Sequence, residues 1–514
     1  MRGHSDRVND KVKFYTFLLF ALFASVVHAE GGDKPDLTLT GKLSGKDNQT
    51  YKLVPFDVPA GVDRITVDFA YTGREEKTTI DLGLLGPGGF KNNAFRGWSG
   101  GNKSRYTVSA TDATPSYVPG PITPGRWNLL LGIPNIRENA HAEFTAKVYF
   151  SRNGKIPDLL DAPLRAESGW YRGDLHMHGA HSDGSCTPQS GKGKVPCPLF
   201  LSAQTAAERG LDFIALSDHN TVTQANAVRE LQPYFDRLLL LPGRELTTFT
   251  GHANLLGTWV PLDFRVGSAE VPDWNALLRN AAKLGGFVSI NHPIRLSGEV
   301  CMGCGWTAEP EVDMRLVQGI EVVNGNDADT LISGIPFWQA RLDKGFRLTA
   351  VGGSDDHNAK QWGESRGHVG IGTPTTVVHA ANLSQRAVLD ALRAGHVFVD
   401  VFGSKDKHLE FTAKIGNVDA EMGDVIAVAQ NAKVDFSVKT ANAAGGSVEI
   451  LIDGKLANVI DQPKIATAAQ TFAFTWSGDG QRHWLRANVR GADGKLVLVG
   501  NPVYVNFNTV SAVH

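Results

Sequence analysis

Five apolar runs between residues 169 and 400 each end on a histidine, an aspartate or a glutamate. The first closes on His176-Met-His178, with Asp183 in the loop behind it. The second closes on Asp218-His219 and the third on Arg244-Glu245, followed by His252. The fourth closes on His292-Pro293 and the fifth on Asp355-Asp356-His357. Residues i and i+2 of a strand share a face, so His176 and His178 can reach one point, as can Asp355 and His357. A lone histidine at a strand end is more often a satisfied structural residue than a ligand. Five such ends in succession are harder to explain without a common centre. Imidazole and carboxylate donors suit Zn, Mn and Fe. The candidate ligands His176, His178, Asp183, His219, Glu245, His252, His292, Asp355 and His357 exceed the needs of one ion. Two or three divalent ions are therefore expected. Asp218 reads as a hydrogen-bonding neighbour or helix cap rather than a ligand. Arg244 reads as a salt-bridge partner or an anion clamp, and Arg295 is a second candidate for an anion contact.

The runs themselves constrain the fold. Asp212-Phe-Ile-Ala-Leu-Ser, Leu238-Leu-Leu-Leu-Pro, Gly286-Phe-Val-Ser-Ile, Gly319-Ile-Glu-Val-Val and Leu348-Thr-Ala-Val-Gly are nearly continuous apolar strands. Such strands belong in parallel sheets covered by helices, and helices are expected at Leu199–Arg209, Trp274–Leu284 and Ser384–Ala394. The expectation over 169–400 is therefore an α/β domain, either a barrel or a doubly wound sheet, with its chemistry at the carboxyl ends of the strands. Residues 36–150 and 405–510 alternate apolar and polar side chains at period two. Each reads as an all-β sandwich.

The N-terminus predicts export. Arg2, Arg7, Lys11 and Lys13 precede an apolar run from Phe14 to Val27, and Val27-His28-Ala29 offers a cleavage site, so residues 1–29 read as a signal peptide. The mature chain is expected in the periplasm or outside the cell, with no membrane span. Removing residues 1–29 takes away four cations and two anions, leaving 47 Lys+Arg against 51 Asp+Glu, a net charge of −4. No dense basic run remains, so nucleic acid is not an expected partner. A small, anionic ester is. The four cysteines, Cys186, Cys197, Cys301 and Cys304, favour disulfides in an oxidising compartment, with three pairings open. Cys186–Cys197 would close a short loop and Cys301–Cys304 a tight turn. A zinc site of four thiolates is the competing reading.

The motifs, in this order, resemble the PHP (polymerase and histidinol phosphatase) superfamily over roughly residues 169–400. The His-Ser-Asp-Gly at 181–184, preceded by His176-Met-His178, together with the exported multi-domain layout, looks most like its CehA/McbA-type metallohydrolase branch. The resemblance implies a distorted (β/α)7 barrel with three metals. His176, His178, Glu245 and Asp355 would hold the first ion. Glu245 would bridge to the second, completed by His252 and His292. Asp183, His219 and His357 would hold the third. The expected reaction is hydrolysis of a phosphate ester by a metal-bridging hydroxide, with Glu245, Asp355, His357 and Arg244 as catalytic candidates. Carboxyl-ester or carbamate hydrolysis is the alternative chemistry, and a non-catalytic surface-binding protein with a vestigial site the alternative class.

Overall fold

Alternation at period two becomes two-layered β-structure in the computed structural model, which describes residues 34–91, 94–152, 162–299, 301–359 and 370–507. The expected signal peptide lies outside the described residues. In the N-terminal segment, Leu37–Ser44, His141–Ser151, Arg64–Tyr71 and Arg105–Ser109 form one antiparallel sheet. Thr50–Val58, Gly125–Asn135, Thr79–Leu85 and Phe95–Ser99 form the other. Every second residue of His141–Ser151, from Ala142 to Val148, is buried. Those side chains join Ile65, Val67, Leu82 and Leu129 in the core between the layers, as strand periodicity requires.

The central strands depart from the expected pattern. Gly169–Asp174, Phe213–Leu216 and Leu239–Thr248 run parallel. The chain then reverses, and Gly251–Leu256 lies antiparallel between Leu239–Thr248 and Phe287–Ile290. Phe287–Ile290, Gly319–Asn324 and Thr349–Gly353 are parallel again. Thr375–Ala380 pairs antiparallel with both Gly169–Asp174 and Val397–Asp400. Val397–Asp400 in turn pairs with Leu496–Gly500, so one 15-stranded sheet runs on into the C-terminal segment.

These pairings overturn the expected α/β class and (β/α)7 barrel. Strand makes up 41% of the protein and helix 11%, so it is mostly β, and the large sheet is mixed rather than parallel. The physical reason is plain. A strand buried on both faces is apolar throughout whichever way it runs, so composition does not report direction. The described residues hold five α-helices: Leu199–Glu208, Ala225–Leu231, Trp274–Ala282, Ile335–Asp343 and Gln385–Ala394. No helix separates Leu239–Thr248 from Gly251–Leu256. In the C-terminal segment, one layer is the continuation of the central sheet. Val418–Glu421, His408–Ile415, Lys433–Ala441 and Ala469–Ser477 make the other, with Phe411, Phe436 and Phe474 stacked across its buried face.

Two features position the central loops. Backbone bonds bring distant strand ends together: Asp355 N–H donates to the His176 carbonyl and His178 N–H to the Asp356 carbonyl, both at 2.8 Å. The N-terminal sandwich is also clamped to the helix that follows His219. Buried Asp112 accepts from Arg64 through both Nη1 (3.1 Å) and Nη2 (2.5 Å), and it pairs with Arg229 of Ala225–Leu231. Asn226 of the same helix accepts the Ala113 N–H at 3.0 Å.

Burial alone would raise the Asp112 carboxyl, but Arg229 and Arg64 outweigh it and hold it below the ordinary carboxylate value. Removing it strands two buried guanidinium groups, so Asp112→Ala is predicted to cost about 3–5 kcal/mol. A lowered folded-state value means the ionised carboxylate stabilises the fold above the unfolded value of about 3.9. That contribution is lost as pH falls through the folded value. Thermal unfolding at pH 7 and again near pH 3 should therefore show a smaller wild-type advantage at the second than at the first.

Candidate metal centre

Glu245, near the end of Leu239–Thr248, is 1% exposed and uses both carboxylate oxygens. Oε1 lies 3.3 Å from His252 Nδ1, 3.3 Å from His292 Nε2 and 3.4 Å from His176 Nε2. It also accepts from Asn291 Nδ2 at 2.9 Å. Oε2 lies 2.8 Å from His219 Nδ1 and 3.8 Å from His178 Nε2. Asp355 Oδ1 faces His176 Nε2 at 3.3 Å and His178 Nε2 at 3.2 Å. Asp183 Oδ1 faces His219 Nε2 at 3.5 Å and His357 Nε2 at 3.4 Å. The nine residues that end the apolar runs thus form one continuous cluster. The His178 ring is stacked between those of His219 and His357, with centroids 4.2 and 4.1 Å away.

Acceptors behind the rings decide which nitrogen faces inward. His176 Nδ1 is 2.9 Å from Glu321 Oε1. His252 donates from Nε2 to the Met302 carbonyl at 3.3 Å, and His292 from Nδ1 to the Cys304 carbonyl at 3.1 Å. His357 donates from Nδ1 to the Asp355 carbonyl at 2.8 Å. A neutral imidazole carries one N–H, so once a ring gives up any second proton its other nitrogen is a bare lone pair. Those lone pairs converge on the carboxylates. His176 Nε2 and both nitrogens of His178 are buried and make no hydrogen bond. Buried polar atoms without partners are rare and costly. Two donors about 2.1 Å from one tetrahedral ion stand about 3.4 Å apart, the spacing found here. The donor set therefore fits divalent metal. His176, His178 and Asp355 can share one ion, and His178, Asp183, His219 and His357 can share another, their ligand atoms lying within 4.8 Å of one another.

Charge follows the same arrangement. Burial alone would lower the His176 imidazole, but Asp355, Glu321 and Glu245 outweigh it and hold it well above its ordinary value. Burial also opposes the His219 cation, yet Asp183 and Glu245 raise it to about 10. Burial pushes His178 down to about 4, because Asp355 and Glu245 offset only part of it and the neighbouring His357 and His219 also disfavour its cation. Glu245 and Asp355 stay ionised despite burial because the histidines, His176 foremost, hold their carboxyls well below the usual range.

The backbone is shaped to allow this convergence. Asp355 and His292 adopt positive φ, 55° and 26°, a conformation that costs non-glycine residues energy and concentrates at functional sites. Gly353 lets the chain pass close by, because a Cβ there would overlap Glu321 Oε1 and the His176 Cβ. Asp174, also buried, gathers N–H donors from His176 and Ser354 at 3.1 Å and from Gly372 at 2.7 Å.

Other candidates fall outside the cluster. Arg244 precedes Glu245 on the strand and lies on the opposite face. It is buried and donates to the Val260 carbonyl instead. Arg295 is at the site, donating to Asp355 Oδ2 at 2.9 Å and to Asn324 Oδ1. Asp218 Oδ1 accepts from Gly179 N–H and Ser182 Oγ, both at 2.8 Å, and so braces the Asp183 loop. Sequence reasoning missed Glu321, whose Oε2 also accepts from the His292 N–H at 2.8 Å and from Asn324 at 3.0 Å. It missed Asn291 too. Glu321 sits within Gly319–Asn324 among valines and an isoleucine, away from any strand end, where a single acid carries little signal. The cysteines pair as Cys186–Cys197 and Cys301–Cys304, and no free cysteine is left to form a four-thiolate zinc site.

No family model matches the chain, and no curated protein does. Among solved structures, a two-domain protein from Bacteroides vulgatus described as containing a predicted PHP-like metal-dependent phosphoesterase matches at 18% identity. The match covers 68% of this chain and 100% of that one, with a TM-score of 0.36. Its description names the superfamily that the motifs resemble. A TM-score that low transfers no chemistry, so function has to come from the chain's own side chains.

Ions and protons compete for these imidazoles. Metal binding at pH 7 should therefore release protons, and affinity should fall as pH drops from 8 to 5.5. Calorimetry in two buffers of different ionisation enthalpy reads the release directly; identical heats in both would contradict the assignment. His178→Ala should lower the number of bound ions while leaving the circular dichroism spectrum unchanged.

Proposed function

We propose that this chain is an exported, metal-dependent hydrolase of ester bonds whose substrate is a small phosphate ester. The observation that carries the reading is Glu245, a buried carboxylate faced by imidazole nitrogens on both of its oxygens. Bound divalent ions supply acidified water and a sink for negative charge on the ester. The protein's part is placement. Asn291 restrains one oxygen of Glu245, and Thr247 Oγ1 lies 3.4 Å from the other, so the carboxylate is held against rotation. Glu321 and the loop carbonyls hold the histidine rings in one tautomer. Such fixed donors cost no reorganisation during reaction, which makes preorganisation effective.

Arg295 supports an anionic substrate. Its side chain is about one-third exposed at 31%, and it is fixed beside Asp355, where it offers a cation to a phosphoryl oxygen. His357 is exposed to a similar extent, at 32%. Export is supported by the leader-like N-terminus and by two closed cysteine pairs, which suit an oxidising compartment. The described residues contain no helix long and apolar enough to cross a membrane.

The test is turnover of aryl phosphomonoesters, phosphodiesters, carboxyl esters and carbamates by protein loaded with Mn, Zn or Fe. Phosphoesters should be cleaved fastest. Glu245→Gln should lower kcat/KM by about 1000-fold, in line with the loss of a preorganised charge partner. Arg295→Gln should raise KM for phosphoesters and leave carboxyl esters unaffected. Faster cleavage of carboxyl esters or carbamates, with no effect at Arg295, would overturn the phosphoester reading.

A further inference from the structure

Two of the three histidines on the Oε1 side of Glu245, His252 and His292, take their orientation from one four-residue loop. His252 comes from Gly251–Leu256, and His292 follows Phe287–Ile290. Their outward N–H groups nevertheless end on the Met302 and Cys304 carbonyls, which lie two residues apart. Both carbonyls belong to the loop that the Cys301–Cys304 disulfide closes. The loop is seated on the turn that leads into Gly251–Leu256, and the residues just beyond it reach the residue after His292. Gly303, at φ 75°, passes so close to Thr248 and Phe249 that a Cβ would overlap their backbone. Beyond the loop, Trp306 N–H donates to Pro293 and Thr307 N–H to Thr250, both at 2.9 Å.

We propose that the Cys301–Cys304 loop is the positioning element for the ion held by Glu245, His252 and His292, so that opening this disulfide weakens that ion selectively. The inference rests on the metal-centre reading above. Acceptors behind metal-bound histidines set the tautomer and ring direction, and losing one typically costs 10–100-fold in affinity. Here one covalent bond holds two of them. Opening it frees a short Met-Gly segment whose carbonyls then have many orientations. It also frees a rival donor, because Cys304 Sγ lies within 4.8 Å of a nitrogen of each of the two histidines. A thiolate there would draw the rings outward, away from Glu245. In the chemical step, a water-soluble phosphine breaks the S–S bond and two thiols form. The phosphine is oxidised to its oxide, with water as the oxygen source.

The experiment counts bound ions and titrates Mn or Zn into three proteins: the wild type, the double variant Cys301→Ser/Cys304→Ser, and the double variant Cys186→Ser/Cys197→Ser. The first variant should bind one ion at least about 10-fold more weakly and the remainder as the wild type does. The second should keep the affinity of that ion. Phosphine treatment of the second variant should reproduce the loss, and reoxidation with oxidised glutathione should restore it on the same molecules, which a misfolded chain could not do. Unchanged ion number and affinity with the thiols shown to be free would overturn the proposal, as would an equal loss at every site. A wild-type protein that binds no ion would overturn the metal-centre reading itself.

Discussion

A buried carboxylate can stay ionised only where positive charge or hydrogen-bond donors meet it on every side. Glu245 meets that condition through imidazoles on both oxygens and through Asn291. The rest of the centre is arranged around this group. Asp355 and Asp183 repeat the pairing on either flank, so the cluster alternates carboxylate and imidazole from one end to the other. Without ions, protons do part of the balancing, as the raised His176 and His219 values express. Cations in their place would balance the same charge without protonating the ligands.

This arrangement needs rigid support, and the fold supplies it at three levels. Glu321, Asn291 and the loop carbonyls set ring direction. Asp174 and Asp218 tie the loops that carry the clustered side chains to their neighbours. The Arg64–Asp112–Arg229 cluster fixes the N-terminal sandwich to the helix behind His219. The flanking β-structure is therefore physically continuous with the centre, through that clamp on one side and through the shared sheet on the other.

The residues that the fold gathers around Glu245 were legible in the sequence because strand ends are where a sheet presents side chains to a cleft, and each acid or imidazole stood out against an apolar run. Glu321 was not legible, since it lies inside such a run. Arg244 could have been set aside from periodicity alone: neighbours on a strand face opposite ways, and Glu245 was already assigned inward. Strand direction was the larger loss. Leu239–Thr248 and Gly251–Leu256 are buried almost throughout, so their antiparallel hairpin shows no alternation to set it apart from a parallel pair. Helices with clear start signals were found near their true bounds. Gln385–Ala394, for example, begins after Ser384, whose side chain caps the Ala387 N–H. Ala225–Leu231 and Ile335–Asp343 went unseen; neither has a side-chain cap, although Leu199–Glu208, which was found, lacks one as well.

Anomalous diffraction from crystals grown with Mn or Zn would locate the ions. They are expected in contact with both oxygens of Glu245, with His176, His178 and Asp355 on one and His252 and His292 on its neighbour. Crystals with no anomalous signal near Glu245, or with ions bound only elsewhere on the protein, would contradict that placement.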